Sequence, residues 1–269
     1  MESLNRSALQ AFTPLGFGPF MKRLFSVFVL VAIAAIGTSA AKADFILNTP
    51  SGLSVGDHFR FMFVTKGTTP ATSTSLASYD SFVSSDVATY FGTVTYNGNA
   101  ITGWKALGST DTTSAFDHLG GSQANVAVYR PDGTIIASSL TTNANGLWSG
   151  SILNKNNQFL DGTNVTSRSQ LYPWTGTLTT GEKAVFGDSY TLGNSDVYYG
   201  EVELTNDQWI ESSTDGGALY SSLIGVSPEL TVPTAPPTVP EINPSSLGSV
   251  LALVLGSLGL LERRRLRAA

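Results

Sequence analysis

The chain has 269 residues, of which 15 are Lys or Arg, 20 are Asp or Glu and none is Cys. Without cysteine, disulfides, thiolate metal sites and a cysteine nucleophile are all excluded. Between Asp44 and Pro240 there are seven Lys or Arg and seventeen Asp or Glu residues, a net charge of about −10. Because such a charge repels phosphate backbones, we expect no nucleic-acid partner.

Residues 1–43 are predicted to contain a signal peptide. A positively charged segment begins at Met21, and an apolar stretch follows it as far as Ile36. Ala41 and Ala43 then supply the small residues of a cleavage site,. We therefore expect export across the inner membrane, with the mature chain beginning immediately after the second of these alanines. The alternative is a retained membrane anchor.

The first twenty residues lie upstream of that export signal. They contain two prolines and show no helical apolar period, so we interpret Met21 as the start of translation. Removing the export signal leaves residues 44–230 as the folded body. About 190 residues suit a single domain, and that length can bury enough apolar surface to be stable without disulfides.

The body is predicted to be α+β, with mostly short antiparallel strands, one main helix and long loops. The helix is predicted from Leu76 to Phe91, where apolar side chains recur at helical spacing,. Ser75 is expected to cap its start and Gly92 its end. The predicted strands cover residues 59–65, 93–96, 104–107, 126–129, 134–137, 185–186 and 209–210.

Residues 231–244 hold five prolines and are predicted to form an extended linker,. An apolar run of fifteen residues, 247–261, follows the linker, and Arg263, Arg264 and Arg265 come next. A stable membrane span needs about 20 residues, so we interpret this run as a marginal or transient span. The arginines favour the cytoplasmic side. The alternative is a buried C-terminal helix.

Residues 239–267 resemble the PEP-CTERM sorting signal of Gram-negative bacteria. The shared features are Pro240 and Glu241, the apolar span and the closing arginine cluster, whereas Ile242 stands at the third position of the tripeptide. The resemblance implies that an exosortase-like enzyme in the membrane processes the tail. Pro240, Glu241 and the three arginines would then form the sorting signal, and the protein would reach the cell envelope, the cell surface or the extracellular matrix.

The body carries a second resemblance. Residues 103–110 are similar to a Trp-x-Ala-x-Gly-Ser-Thr segment found in many surface proteins with this sorting signal. The series from Trp174 to Trp209 is similar to the second half of C-type lectin-like and endostatin-like folds. This resemblance implies an early helix, short strands, long loops and tryptophans in the core. The calcium-binding motifs and disulfides of sugar-binding C-type lectins do not occur in the sequence, so a calcium-dependent sugar site is not implied.

Two binding sites are suggested by residue type. Asp188, Asn194 and Asp196 lie in predicted loops, and their oxygens suit calcium. We expect no cofactor, and calcium is the one metal that the sequence favours. The alternative is that these three residues are solvated turn residues without a ligand. Among the tryptophans, Trp148, beside Ser149, is the one most expected to be exposed. An exposed indole ring can stack on a sugar ring. The alternative for Trp148 is burial.

No catalytic set stands out in the body. There are only two histidines, and the Gly-x-Ser-x-Gly motif is absent,. We therefore expect a non-enzymatic surface or matrix protein that contacts exopolysaccharide. One alternative is an extracellular polysaccharide hydrolase with paired carboxylates, and another is a purely structural matrix component. The candidate carboxylates are Glu201 and Glu203 on one strand face, and Asp132, Asp161, Asp188 and Asp207 in loops.

The cleavage site gives a direct test. We predict that the mature protein recovered from the cell envelope begins at Asp44, as read by N-terminal sequencing. Ala43→Phe should accumulate the precursor, because signal peptidase needs a small residue there. Ala40→Phe, one residue outside the recognised positions, is the matched control and should be processed normally. A mature protein that contains any peptide from residues 1–20 would contradict the prediction.

Overall fold

The computed structural model describes residues 44–234, which form a mixed α+β fold made mostly of strands. The signal peptide and the sorting tail lie outside the described residues. No helix within residues 44–234 is long and apolar enough to cross a membrane. The helices are α1 (Leu76–Phe91), α2 (Ala115–His118), α3 (Arg168–Leu171) and a 3-10 turn (Asp207–Trp209).

The strands are short, and their order along the chain sets the topology. They are β1 (Phe45–Leu47), β2 (His58–Val64), β3 (Thr69–Pro70), β4 (Val94–Tyr96), β5 (Asn99–Ala100), β6 (Lys105–Leu107), β7 (Val126–Tyr129), β8 (Ile135–Ala137), β9 (Val185–Phe186), β10 (Asp188–Ser189), β11 (Asp196–Tyr199), β12 (Ser213–Gly216), β13 (Tyr220–Ser221), β14 (Ile224–Val226) and β15 (Leu230–Thr231).

The largest sheet has β2 at its centre, in the order β6-β14-β2-β7-β8, with β15 also paired to β2. Six of the seven residues of β2 are buried, as expected for a strand that is covered on both faces. β7 lies parallel to β2, whereas β14 and β15 lie antiparallel to it. The first long strand of the body is therefore paired with its last two strands.

The two faces of β2 contribute to different apolar clusters. Phe59, Phe61 and Phe63 join the cluster that contains the buried side of α1. Met62 joins the other cluster, which contains Trp148 and Trp209. Alternation of side chains along a strand explains this division, with the exception of Val64, which ends β2 and joins the first cluster,. The sheet therefore separates two cores, and all the tryptophans of the body belong to one or the other.

Helix α1 has the predicted bounds. Gly92 ends it with a φ of 71° and donates its N–H to the carbonyl of Ala88, as expected of a C-terminal glycine,. Ser75 is extended, but its side chain makes no capping hydrogen bond. Asp86 instead fixes the helix to the sheet, because its carboxylate accepts hydrogen bonds from the backbone N–H groups of Lys66 and Gly67 just after β2. Burial raises the pKa of Asp86 in spite of these two bonds.

Most of the predicted strands are present, with ends that differ by one residue. The hairpin of β7 and β8 turns at Pro131–Gly133 as predicted. Residues 209–210, predicted as a strand, belong instead to the region of a 3-10 turn. Glu201 and Glu203 were expected on one strand face, but β11 ends at Tyr199 and both residues follow it in a loop.

The folded body also extends further than predicted. Thr231, which was assigned to the linker, pairs with His58 across β15 and β2. Val232 is buried, and its N–H donates to the carbonyl of Asp57 at 3.0 Å. The linker predicted for residues 231–244 therefore loses at least its first two residues to the sheet.

The contact between β14 and β2 gives a stability test. A Cβ at Gly225 would lie 2.5 Å from the ring of Phe63, which is fully buried and unable to move aside cheaply. Gly225→Ala should therefore lower the free energy of unfolding by about 1–3 kcal/mol through overpacking. Chemical denaturation followed by tryptophan fluorescence measures this change.

Gly216→Ala is the matched control for that measurement. Gly216 also lies in a strand, but nothing stands within 4 Å of the position of its Cβ. The free energy of unfolding of Gly216→Ala should stay close to that of the parent chain. Equal losses in the two variants would show that the change does not come from the Phe63 ring.

Candidate functional site: a tyrosine-lined groove

Trp148 does not provide the predicted sugar-stacking face. Its side chain is only 1% exposed and belongs to the cluster that contains Met62. The backbone of Gly181 lies against the ring, so closely that a Cβ there would be 2.8 Å from it. The expectation of exposure is wrong because the large apolar area of an indole is better removed from water.

Of the residues predicted to bind calcium, Asp188 and Asp196 lie in the short strands β10 and β11 rather than in loops, and Asn194 has a structural partner. The amide of Asn194 donates to the carboxylate of Asp111 at 3.1 Å, and the hydroxyls of Ser189 and Thr191 donate to the same oxygen. These bonds lower the pKa of Asp111. Asp188 and Asp196 are exposed. Within residues 44–234 no group of three acidic or histidine side chains is placed to hold a metal ion.

Three of the candidate carboxylates are held by cations. Asp132 pairs with Arg130, Asp161 with Lys66, and Glu203 with Lys155, at distances of 2.6–2.9 Å. Burial acts to raise the pKa of each carboxyl, but the hydrogen bonds from these and neighbouring groups outweigh it, and the net shift is downward. Carboxylates held in this way are poor general acids.

The two histidines also lie against carboxylates. His58 lies 2.6 Å from Glu229, and His118 lies 3.0 Å from Asp80. The carboxylate of Asp80 also accepts the backbone N–H of Ala106, so this pair joins α1, α2 and β6. Both histidines therefore have structural partners.

A groove of about 600 Å³ lies in the second half of the body. Its volume falls within the range of small-molecule and oligosaccharide sites. Its walls come from α3, β11, β12, β13 and the segments next to them. The lining residues are Arg168, Ser169, Tyr172, Trp174, Tyr199, Glu201, Ser212, Asp215, Leu219, Tyr220 and Ser221.

Backbone hydrogen bonds hold the walls of the groove together. The N–H of Trp174 donates to the carbonyl of Ser222 at 3.0 Å, and that of Ser212 donates to Tyr199 at 2.9 Å. The hydroxyl of Ser221 donates to the carbonyl of Ser169 at 2.7 Å. β13 is in turn paired with β3, just after the central strand β2. The groove therefore has a rigid frame that is tied to the main sheet.

Aromatic rings form one side of the groove. Tyr172 and Tyr199 meet edge to face, with ring centroids 5.4 Å apart, and Trp174 lies behind Tyr199 at 6.4 Å. Trp174 is buried, whereas the two tyrosines are half-buried. Tyr220 is 67% exposed at the rim. Tyrosine rings held in this way offer apolar faces to a ligand at a small cost in conformational entropy.

Charged side chains complete the lining of the groove. Arg168 and Asp215 are exposed, and Glu201 is half-buried. Among the described residues none of the three forms an ion pair, and their one side-chain hydrogen bond is that of Asp215 with the N–H of Gly216. The groove thus combines apolar rings with polar groups whose hydrogen-bonding capacity is unused by the protein.

Among these lining residues, the sequence singles out Glu201 as a candidate carboxylate and Trp174 as a core residue. The sequence predicts an exposed aromatic residue among the tryptophans, whereas the structure places tyrosines at the surface. The available signal was the presence of Tyr172, Tyr199 and Tyr220 within segments rich in Ser, Gly and Thr. No known family model matches the chain, and no curated protein sequence matches it.

The Asp132 network predicts a dependence of stability on pH. Its carboxylate accepts hydrogen bonds from Arg130, Gln158 and the N–H of Thr134. Asp132→Asn should lower the free energy of unfolding at neutral pH by about 1–2 kcal/mol. Because the pKa is lowered from 3.8 on folding, this stabilisation is present above that value and is lost as pH falls through the folded-state pKa,.

Chemical denaturation at neutral pH and at pH values below 3.8 measures the effect of Asp132→Asn. The difference between the variant and the parent should be largest at neutral pH and should shrink in acid. Asp188→Asn is the matched control, since Asp188 is exposed and makes no side-chain hydrogen bond to the described residues. A difference for Asp132→Asn that does not change with pH would contradict the assigned role.

Proposed function

We propose that this is an exported, non-catalytic protein of the cell surface or extracellular matrix, and that its body binds exopolysaccharide in the tyrosine-lined groove. The observation that carries the binding proposal is the set of rings from Tyr172, Tyr199 and Tyr220 beside three charged side chains that form no ion pair with any residue from 44 to 234. Aromatic faces pack on the C–H faces of sugar rings, and polar groups at the edge orient their hydroxyls.

The proposed destination comes from the two ends of the sequence. Residues 1–43 would direct export across the inner membrane. Pro240, Glu241 and Arg263–Arg265 would direct handling by an exosortase-like enzyme that recognises the tail at the membrane. The acidic body is consistent with this destination, because it has little affinity for nucleic acid or for anionic lipid.

We propose a C-type lectin-like architecture as the finer description of the fold. Three features support it: α1 precedes the series of short strands, the loops between the strands are long, and tryptophans lie in the core. Calcium plays no part in the proposed sugar binding, since the contacts come from rings and side chains of the groove.

Glycoside hydrolysis is the second candidate function. One observation favours it: Glu201 and Asp215 line the same groove, as the two carboxylates of a glycoside hydrolase do,. Release of reducing ends from a bound polysaccharide, abolished by Glu201→Gln or Asp215→Asn, would establish this function in place of simple binding. Binding without release of reducing ends favours our proposal. A matrix component without a ligand would show neither.

Tyr220→Ala tests the binding proposal. Because the Tyr220 ring is largely exposed at the rim, its removal should leave the fold intact and weaken polysaccharide binding at least about fivefold, or about 1 kcal/mol,. Affinity electrophoresis in gels that contain the producing cell's own polysaccharide measures the change.

Tyr90→Ala is the matched control, since Tyr90 is also exposed but lies on α1, away from the groove lining. It should bind as the parent does. Equal weakening of polysaccharide binding in the two variants would contradict the assignment of the binding site to the groove. Cell fractionation tests the destination separately, and a mature protein found in the cytoplasm would contradict it.

A further inference from the structure

We propose that the groove selects neutral, hydroxyl-rich glycans over both acidic and amine-bearing glycans. The inference rests on the proposed function, because it names the class of polysaccharide that the same groove binds. It comes from the chemistry of Arg168, Glu201 and Asp215, which share the groove.

These three side chains differ from the three cations that form ion pairs elsewhere in the described body. Lys66, Arg130 and Lys155 each pair with a carboxylate at 2.6–2.9 Å. In the groove, by contrast, a guanidinium and two carboxylates lie in one concavity, and no ion pair among the described residues joins them. Their hydrogen-bonding capacity is therefore available to a ligand.

A hydroxyl group can form hydrogen bonds with both kinds of charged side chain. A guanidinium only donates hydrogen bonds, an ionised carboxylate only accepts them, and a hydroxyl does both. A sugar with several hydroxyls can accept from Arg168 through one of them and donate to Glu201 or Asp215 through the others. Serine hydroxyls of the lining, among them that of Ser212, add further neutral partners.

Charged glycans match only part of this lining. A uronate suits Arg168 but is repelled by the two carboxylates and by a body with a net charge of about −10,. An amine-bearing glycan suits the carboxylates and is attracted by the acidic body, an attraction that salt screens, but inside the groove it places its recurring ammonium groups beside Arg168 as well,. Because the charge recurs along such polymers, neither kind avoids the unfavourable contact.

The aromatic side of the groove adds contacts that do not depend on charge. Tyr199 is held edge to face against Tyr172, and Tyr220 stands at the rim. Packing of rings on sugar C–H faces is not screened by salt. Binding of a neutral glycan should therefore be nearly independent of ionic strength, whereas binding of a charged one should weaken as salt rises.

The test uses the full chain in a detergent without a sugar headgroup. Its affinity is measured by calorimetry for neutral glucans, mannans and galactans, for polyuronates, and for glucosamine polymers of similar length. At about 1 M salt, where the attraction of the acidic body for a glucosamine polymer is screened, we expect a neutral glycan to bind at least about tenfold more tightly than either charged class. Its affinity should change less than about twofold between about 0.01 M and about 1 M salt, where the screening length falls from about 30 Å to about 3 Å.

Substitutions of the charged side chains test the mechanism. Arg168→Gln, Glu201→Gln and Asp215→Asn should each weaken neutral-glycan binding by about threefold to tenfold, because a charge-assisted hydrogen bond is replaced by a neutral one. Asp188→Asn, an exposed carboxylate outside the groove lining, should leave binding unchanged. Circular dichroism and thermal unfolding verify that each variant is folded.

The outcomes separate this inference from the proposal on which it rests. Tighter binding of a polyuronate or a glucosamine polymer overturns the selectivity while leaving polysaccharide binding in place. Loss of binding in Tyr220→Ala, with no effect of the three charge substitutions, also overturns the inference alone. Absence of binding to every glycan overturns both. Neutral preference with salt independence and weakening in all three variants supports both.

Discussion

The pairing of β2 with the strands at the far end of the chain is the constraint on which the structure depends. β2 is buried on both faces and hydrogen-bonded on both edges, with β7 on one side and β14 and β15 on the other. No disulfide supports this closure, so burial of apolar surface and these backbone bonds must hold it,. The chain between β2 and β14 contributes β6, β7 and β8 to the main sheet, and from the end of β8 it makes a long excursion that returns to the sheet at β14.

The groove lies near the end of that excursion. β13 contributes Tyr220 to the rim and pairs with β3 just after β2, and β14 returns to β2 three residues after β13. The ribbon of β11 and β12 is joined to this frame through the backbone of Trp174, which bridges to Tyr199 and to Leu223. A loop-rich wall is thus positioned by strands in the core, which is how rigid scaffolds commonly present binding residues.

Local patterns in the sequence were sufficient for the elements that carry their own signal. The helical period gave α1, the Pro-Asp-Gly turn gave the hairpin of β7 and β8, and the aromatic run gave β2. β14 was missed because it has three residues with Gly225 at its centre, and only the Phe63 ring across the sheet explains that glycine. The groove was missed for a similar reason. Its residues lie between Arg168 and Ser221, up to 53 positions apart, and the sequence does not show that backbone bonds bring its tyrosines together.

The pairing of β15 has a mechanical consequence. β15 has two residues, and with the neighbouring bonds of Val232 it is held antiparallel to the start of β2 by a few backbone hydrogen bonds. A force that pulls the chain beyond Val232 away from the body acts on these hydrogen bonds one after another, beginning with those of Val232, and not on all of them at once. Bonds that are loaded one after another break at a lower force than bonds that share the load, so β15 should detach while β14 and the frame of the groove remain folded. In a body anchored through its C-terminal side, β15 would therefore detach under drag before the groove unfolds and releases a bound ligand.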